Sequence, residues 1–573
     1  MNKYPKKKDD ISIVLCGAAG QGVQTVEQIL THAFKHAGYN LFSTKEYMSR
    51  VRGGSNSTQL RVSSRAVRAG LDRIDILFPL NREALKHVEG RITAETIILG
   101  DKEILLGPGN GKDIVMIDIP LQKIASEIGG AIYANIVATG VITALFGIDK
   151  ERVIDDLKER FSDGGKTVQT HNIRAVKSGY EIGDDLIRSK TVSISIRKDP
   201  QVADQIILNG GEAVGMGAIA GGCNFISSYP MTPSTSVLTF LARQSKEFGI
   251  IAEQAEDEIA AMNMAIGAWY AGARGMVTTS GGGFALMTEG LSLAGAVESP
   301  MVIHLAQRPG PATGLPTRTE QGDLDLALHA GHGEFPRVIF APGTIEEAFH
   351  LTAGAFNLAD RYQVPVFIMT DQYFVDSYYN IPRIDVSALT IERHVVPTDE
   401  GYKRYALTEN GVSPRGIPGS GAGLVVVDSD EHNEEGHLTE DHDIRVRMVD
   451  KRLGKRALLA QEAFLPTLSG KTKGTTMIVC WGSLVAIAAE ALRRIGRSDV
   501  SLVHFRQVYP LHPDTAKVLS KANRLVIVEG NATGQFARIL QAHAGVDIKT
   551  KITQYSGRAF SVEELEGRLR EVL

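Results

Sequence analysis

Phe225-Ile226-Ser227-Ser228-Tyr229-Pro230 reads as a strand and runs through Met231-Thr232-Pro233-Ser234-Thr235-Ser236 into a helical stretch carrying Val237, Leu238, Phe240 and Leu241. Two prolines three apart stiffen the connection and bias Tyr229 and Thr232 toward extended geometry. Thr232 is expected to cap the helix, with Pro233 as its first residue. That arrangement fixes a hydroxyl at a positive helix end, a natural place for a small carboxylate.

The same strand–turn–helix alternation continues outward from this segment. A helix is expected around 211–220. IIAEQ, RGMVTTS, MVIHLAQ, RVIFAP and VPVFIMTD read as further strands with helices between them. Upstream, ISIVLCG and TIILGD read as strands and Thr25 to Ala37 as a helix; downstream, TMIVCWGS, SLVHFRQ and RLVIVEGN alternate with helices. The pattern predicts an α/β protein built from several parallel-sheet domains. Residues 395–455 break it: GIPGSGAG and DSDEHNEEGHLTEDHD mark a long Gly-rich, acidic arm. His432, His437 and His442 lie among its acids without a defined ligand spacing, so a solvated loop is expected and no metal ligand is assigned to the chain.

Composition narrows the partners. The chain has 573 residues, enough for three or four domains, and a net charge of −4 with no basic domain, which argues against nucleic acid. Its three cysteines, Cys16, Cys223 and Cys480, are too scattered for a disulfide framework and too few to hold an iron–sulfur cluster. A reducing cytoplasm suits them. The N-terminal MNKYPKKKDD lacks the apolar stretch of a secretory signal. Gly129 to Ile148 is uncharged and about long enough to span a membrane, but its Asn135, Thr139, Thr143 and glycines point to a buried helix pair or an interface helix. No membrane association is expected.

Four constellations are suited to chemistry, the first being two glycine-rich segments of the N-terminal part. Gly17-Ala18-Ala19-Gly20-Gln21-Gly22, between a strand and a helix, is either a structural turn or a phosphate cradle; its spacing is not the dinucleotide G-x-G-x-x-G. Arg50-Val51-Arg52-Gly53-Gly54-Ser55 either reaches ligand phosphates or turns the chain. Glu256 and Asp257 suit a helix N-terminus, whereas Glu258 leads into the small, apolar IAAMNMAIGAWYAGA and is expected to be buried, where it can share a proton. Thr278-Thr279-Ser280-Gly281-Gly282-Gly283 ends a strand with three glycines that permit close approach by a ligand or another chain. Arg308 begins the proline-stiffened RPGPATGLPT at another strand end, where a guanidinium fork suits a carboxylate.

Together these segments resemble the 2-oxoacid:ferredoxin oxidoreductases, a thiamine diphosphate family, over essentially the whole chain. Y-P-M-T-P and R-P-G-P-x-T-G-x-P-T are the specific matches; the turn at 17–22 is less so. The resemblance implies a γ domain over 10–188, a pyrimidine-binding domain over 201–394, a connecting arm over 395–455 and a transketolase C-terminal-like domain over 456–573. It implies that Glu258 hydrogen-bonds the thiamine pyrimidine, that Arg308 pairs with the substrate carboxylate, and that Thr232 and Thr317 contact the substrate. Thr279 and Ser280 fall near the cofactor, and Gly20, Gly22 and Arg52 are candidates for coenzyme A.

The implied reaction is oxidative decarboxylation of a 2-oxoacid, most of all 2-oxoglutarate, to acyl-CoA and CO2 with reduction of ferredoxin, or its reversal. In the family a β subunit carries the diphosphate–Mg2+ site and a 4Fe–4S cluster. This chain is therefore expected to be half of a site in an (αβ)2 assembly, with a role for the 129–148 helix at an interface. Pyruvate, branched-chain acids and indolepyruvate are the alternative substrates. A nicotinamide-dependent dehydrogenase and a non-catalytic scaffold are the alternatives of other classes.

Overall fold

The computed structural model describes residues 5–18, 23–48, 55–105, 114–471 and 475–573. Gly20, Gly22 and Arg52 lie outside them. The chain divides into two units.

The smaller unit comprises residues 1–208 with 376–384 and 561–564. Its main sheet has eight strands. Asp10–Ala18, Ile76–Pro79, Ile97–Gly100 and Val115–Asp118 run parallel, the arrangement that βα alternation predicts. Asp10–Ala18 also pairs antiparallel with Ser55–Ser63, which pairs antiparallel with Asn40–Glu46, so the other flank of the sheet is antiparallel. Side chains of the central strand alternate between two cores, as a period of two requires. Ile11, Ile13 and Leu15 face one core; Val14 and Cys16 face the other.

The uncharged segment supplies the helix Ala134–Leu145, and all twelve of its residues are buried. It packs on Gly165–Arg188 so closely that a Cβ on Gly140 would fall 2.4 Å from Val176 O, and one on Gly179 would fall 2.2 Å from Val137 O. The helix pair anticipated from sequence is present. The helix itself is enclosed by this unit's own core, while Ile132, just before it, is exposed. Among the described residues no helix is long and apolar enough to cross a membrane.

The larger unit comprises residues 209–375, 385–560 and 565–573. Its seven-stranded sheet has the order Ile251–Gln254, Phe225–Ser228, Gly275–Thr279, Met301–Gln307, Pro365–Asp371, Val338–Phe340, Gln507–Tyr509. All pairings are parallel except the last. A five-stranded sheet is formed by Thr467–Ser469, Val500–Phe505, Thr476–Trp481, Arg524–Glu529 and Thr550–Thr553. SLVHFRQ, read as one strand, is split at Arg506: Val500–Phe505 stays in the five-stranded sheet, and Gln507–Tyr509 crosses to the edge of the larger one.

The arm is only in part the solvated loop expected from its composition: His437 and His442 are exposed, but other parts are buried. His432 is fully buried and its ring lies 3.9 Å from that of Tyr405, which is fully buried too. Residues from His442 onward form the helix His442–Gln461. Among the described residues no group of three or more His, Cys, Asp or Glu is placed to hold a metal ion.

Candidate active site

The topology of the larger unit singles out one crevice. From Phe225–Ser228 the chain passes to its neighbour Ile251–Gln254 on one side; from Gly275–Thr279 it passes to Met301–Gln307 on the other. Two adjacent strands whose connections leave in opposite directions open a crevice at their carboxyl ends, where ligands of open α/β sheets bind. Tyr229-Pro230-Met231-Thr232-Pro233, Ser280-Gly281-Gly282-Gly283 and the Arg308 loop all begin at such ends.

Short hydrogen bonds lock these loops together. Ser228 Oγ donates to Thr278 O at 2.6 Å, and Thr278 Oγ1 donates to Ser234 O at 3.3 Å. The Met231–Ser234 turn is closed by Ser234 N and Oγ, both donating to Met231 O, at 2.9 and 2.7 Å. This turn moves the helix start to Thr235, with Ser234 as the residue before it and Thr232–Pro233 cis. Thr232 is therefore not the cap, and Pro233 is not helical. The Thr232 carbonyl instead accepts from Arg308 Nη1 at 2.6 Å, so the two residues picked out for substrate meet directly.

Glu258 follows from helical periodicity. The helix Glu258–Tyr270 is capped by Asp257, whose Oδ1 accepts from Ala260 N at 2.7 Å. Its buried stripe runs Glu258, Ala261, Met262, Ala265, Ile266, Trp269, spaced three and four residues apart. Glu258 occupies the first position of that stripe and is 3 % exposed. Its Oε1 has no hydrogen-bond partner. Glu258 can pack there because residue 283 is glycine: a Cβ there would fall 2.5 Å from Glu258 Oε1 and 2.3 Å from Thr279 Oγ1. Two of the three glycines thus accommodate carboxylates of the chain itself, for a Cβ on Gly281 would fall 2.2 Å from Asp323 Oδ1.

Ser280 is fully buried before the Gly281–Leu286 helix, yet its hydroxyl makes no capping bond and has no partner. Thr279 Oγ1 donates at 3.3 Å to Ser280 O. Arg308 is 9 % exposed, and its Nε is a further buried donor without a partner. Burial disfavours its charge, while the carboxylates of Asp323 and Glu258 favour it. Thr317 is buried in the same loop as Arg308 but has no side-chain hydrogen bond among the described residues.

The structure therefore brings Glu258, Thr279, Ser280, Arg308 and Thr232 to one crevice. It adds Asp323, which sequence reading passed over. An aspartate before a short helix reads as an ordinary cap, and nothing in the sequence shows that its side chain turns to Gly281 instead.

Buried polar atoms are normally paired. Glu258 Oε1, Ser280 Oγ, Arg308 Nε and Asp323 Oδ2 are not, and all lie around this crevice. An unpaired carboxyl oxygen suits a ring nitrogen such as that of an aminopyrimidine, and a buried guanidinium suits a carboxylate. The residues present thus fit thiamine diphosphate at its pyrimidine end.

Comparison with known proteins agrees. Residues 216–451 match the family described as pyruvate flavodoxin/ferredoxin oxidoreductase, thiamine diphosphate-binding, and residues 12–182 match pyruvate ferredoxin/flavodoxin oxidoreductase. The 2-oxoacid:ferredoxin oxidoreductase subunit alpha of a Sulfolobus species is 31 % identical over 98 % of this chain and 97 % of its own length. The 2-oxoglutarate oxidoreductase subunit KorA of Mycobacterium tuberculosis is 26 % identical over 99 % of this chain and 92 % of its own. The solved 2-oxoglutarate:ferredoxin oxidoreductase of Magnetococcus marinus, with 2-oxoglutarate, coenzyme A and succinyl-CoA bound, superposes with a TM-score of 0.89 at 29 % identity, covering 99 % of this chain and all of that one. Fold, crevice and relatives agree that this chain belongs to the 2-oxoacid:ferredoxin oxidoreductases, as a subunit of a thiamine diphosphate-dependent enzyme.

Proposed function

We propose that this chain holds the pyrimidine end of thiamine diphosphate and the carboxylate of a 2-oxoacid, most of all 2-oxoglutarate, while a second polypeptide completes the site. The observation that carries this reading is the unpaired, buried Oε1 of Glu258, packed against Gly283 at the crevice. Bound thiamine diphosphate would supply the nucleophilic carbon and electron sink that decarboxylation requires.

The roles of the chain's own groups follow from their chemistry. Glu258 holds a proton at the pyrimidine N1′, in a setting closed to water where a carboxyl is not lost to solvation. Ser280 Oγ and the Thr279 side chain border the same crevice. Arg308 binds the substrate carboxylate through its free donor face, and its bond to the Thr232 carbonyl keeps the guanidinium in place. Thr232 and Thr317 offer hydroxyls to the rest of the substrate.

Coenzyme A accepts the acyl group and ferredoxin the electrons. A β subunit supplies Mg2+ binding and the 4Fe–4S cluster, since three scattered, buried cysteines here cannot. Buried in apolar surroundings, those thiols are inert; Cys16 is pushed up to about 12. An (αβ)2 assembly in the cytoplasm is the expected form, with 10–188, 201–394, 395–455 and 456–573 as its functional segments. Gly20, Gly22 and Arg52 remain the candidates for coenzyme A.

Preference for 2-oxoglutarate is supported by relatives that carry that acid in their names. The test is kcat/KM of the co-purified complex with coenzyme A and methyl viologen. 2-Oxoglutarate should exceed pyruvate by about tenfold or more. Equal values, or a preference for pyruvate, would contradict it.

A further inference from the structure

Asp323 is half-buried as a residue, but its carboxyl oxygen Oδ2 is closed off at the crevice, and it has no role in the reading above. It precedes the helix Leu324–His329, but its side chain makes no capping bond to it. Its backbone N–H donates to Gln307 Oε1 at 3.1 Å, which fixes it beside the end of the Met301–Gln307 strand. The side chain lies over Gly281, where a Cβ would come within 2.4 Å of either carboxyl oxygen. Oδ2 is sealed from solvent without a partner.

Few charges act on it. Glu320 faces it from its own loop and Arg308 from the loop before. The Gly281–Leu286 helix carries no charged residue. On its own helix, Asp325 is engaged by Arg538. Glu258 enters only through Arg308, whose charge it shares with Asp323.

We propose that Asp323 is a positioning residue for the substrate carboxylate: it takes up a proton from solvent when the 2-oxoacid binds Arg308, and so sets the pH range over which substrate is held. This rests on the reading of Arg308 as the carboxylate site. The physical basis is Coulombic. Arg308 is the cation that favours the ionised form of Asp323, and an anion bound to Arg308 leaves Asp323 without that charge.

Burial and the neighbouring Glu320 already push Asp323 up to about 7, against the pull of Arg308. Spending Arg308 on the substrate raises it further. Below that range free and bound states are both protonated, and affinity is at its maximum. As pH rises through it, the free enzyme loses the proton first, and binding weakens.

Titration calorimetry of the co-purified complex with N-oxalylglycine, an unreactive isostere of 2-oxoglutarate, tests this in buffers of different ionisation enthalpy. Near pH 7.5 the expected uptake is about half to one proton, with Kd rising by up to about tenfold per pH unit above 7. Asp323→Asn should bind without proton uptake and with a flat pH profile. No binding by the wild type, or binding indifferent to Arg308→Ala, would overturn the reading of Arg308 and this proposal with it. Arg308-dependent binding without proton uptake, or uptake that survives in Asp323→Asn, would overturn the role of Asp323 alone. Should Asp323→Asn fail to assemble, the wild-type buffer comparison decides, zero uptake being the contrary result.

Discussion

Glu298 and Glu258 are both buried carboxylates of the larger unit, 2 % and 3 % exposed, but only the first has both oxygens paired. Lys451 Nζ donates to Glu298 Oε1 at 2.5 Å, and Lys455 Nζ donates to Oε2. Burial alone would push Glu298 upward; Lys455, Lys451 and Arg404 hold it far below the usual carboxylate range instead. The same burial pulls Lys451 down to about 8. The cluster ties the His442–Gln461 helix to the turn after Thr288–Ala296, so its partners come wholly from the chain. Around Glu258 the pairing is incomplete: Glu258 Oε1, Ser280 Oγ, Arg308 Nε and Asp323 Oδ2 have no partner. The contrast separates buried charge paired within the chain from buried polarity left open in the proposed site.

Breaking the paired cluster should have the largest effect on stability. Glu298→Ala strands two buried ammonium groups and should cost about 3–5 kcal/mol, read as a lowered denaturant midpoint of the assembled complex. An unchanged midpoint would show that the pairing contributes little to the fold.

A smaller effect is expected where Glu258 packs against glycine. Gly283→Ala places a methyl 2.3 Å from Thr279 Oγ1 and 2.5 Å from Glu258 Oε1, so both side chains have to shift. The expected cost is about 1 kcal/mol of stability, at the low end for overpacking. The same methyl should lower 2-oxoacid-dependent viologen reduction by about tenfold or more. A variant as active as the wild type would mean that the close packing at Gly283 is incidental.

In the larger unit's seven-stranded sheet, six strands are legible as short runs between helical stretches and lie close to where they are read; the seventh, Gln507–Tyr509, is hidden in the end of SLVHFRQ. Glu258 was legible for a related reason: it continues a helical stripe of small apolar residues. Ser55–Ser63 was not. Its buried positions include Ser57, Thr58, Gln59 and Arg61, so it lacks the apolar alternation that marks a strand. Two of these polar side chains find distant partners: Gln59 Nε2 donates to Ser12 Oγ at 2.8 Å, and Arg61 Nε donates to Asp10 Oδ2 at 2.8 Å. The arm misled in the same way, since the partners that let Lys451 and Lys455 be buried lie more than 150 residues away in sequence. Thr232 was placed at the right crevice for the wrong local reason, because the turn that displaces it is closed by the hydroxyl of Ser234.

Glu258→Gln in the co-purified complex tests the central claim most directly. The substitution keeps the shape of a side chain whose Oε1 makes no internal bond, so the stability read from the unfolding midpoint should change by no more than about 0.5 kcal/mol. Viologen reduction dependent on the 2-oxoacid should nevertheless fall by about 100-fold or more. A complex that keeps its full rate, or one that unfolds as readily as Glu298→Ala, would contradict the account.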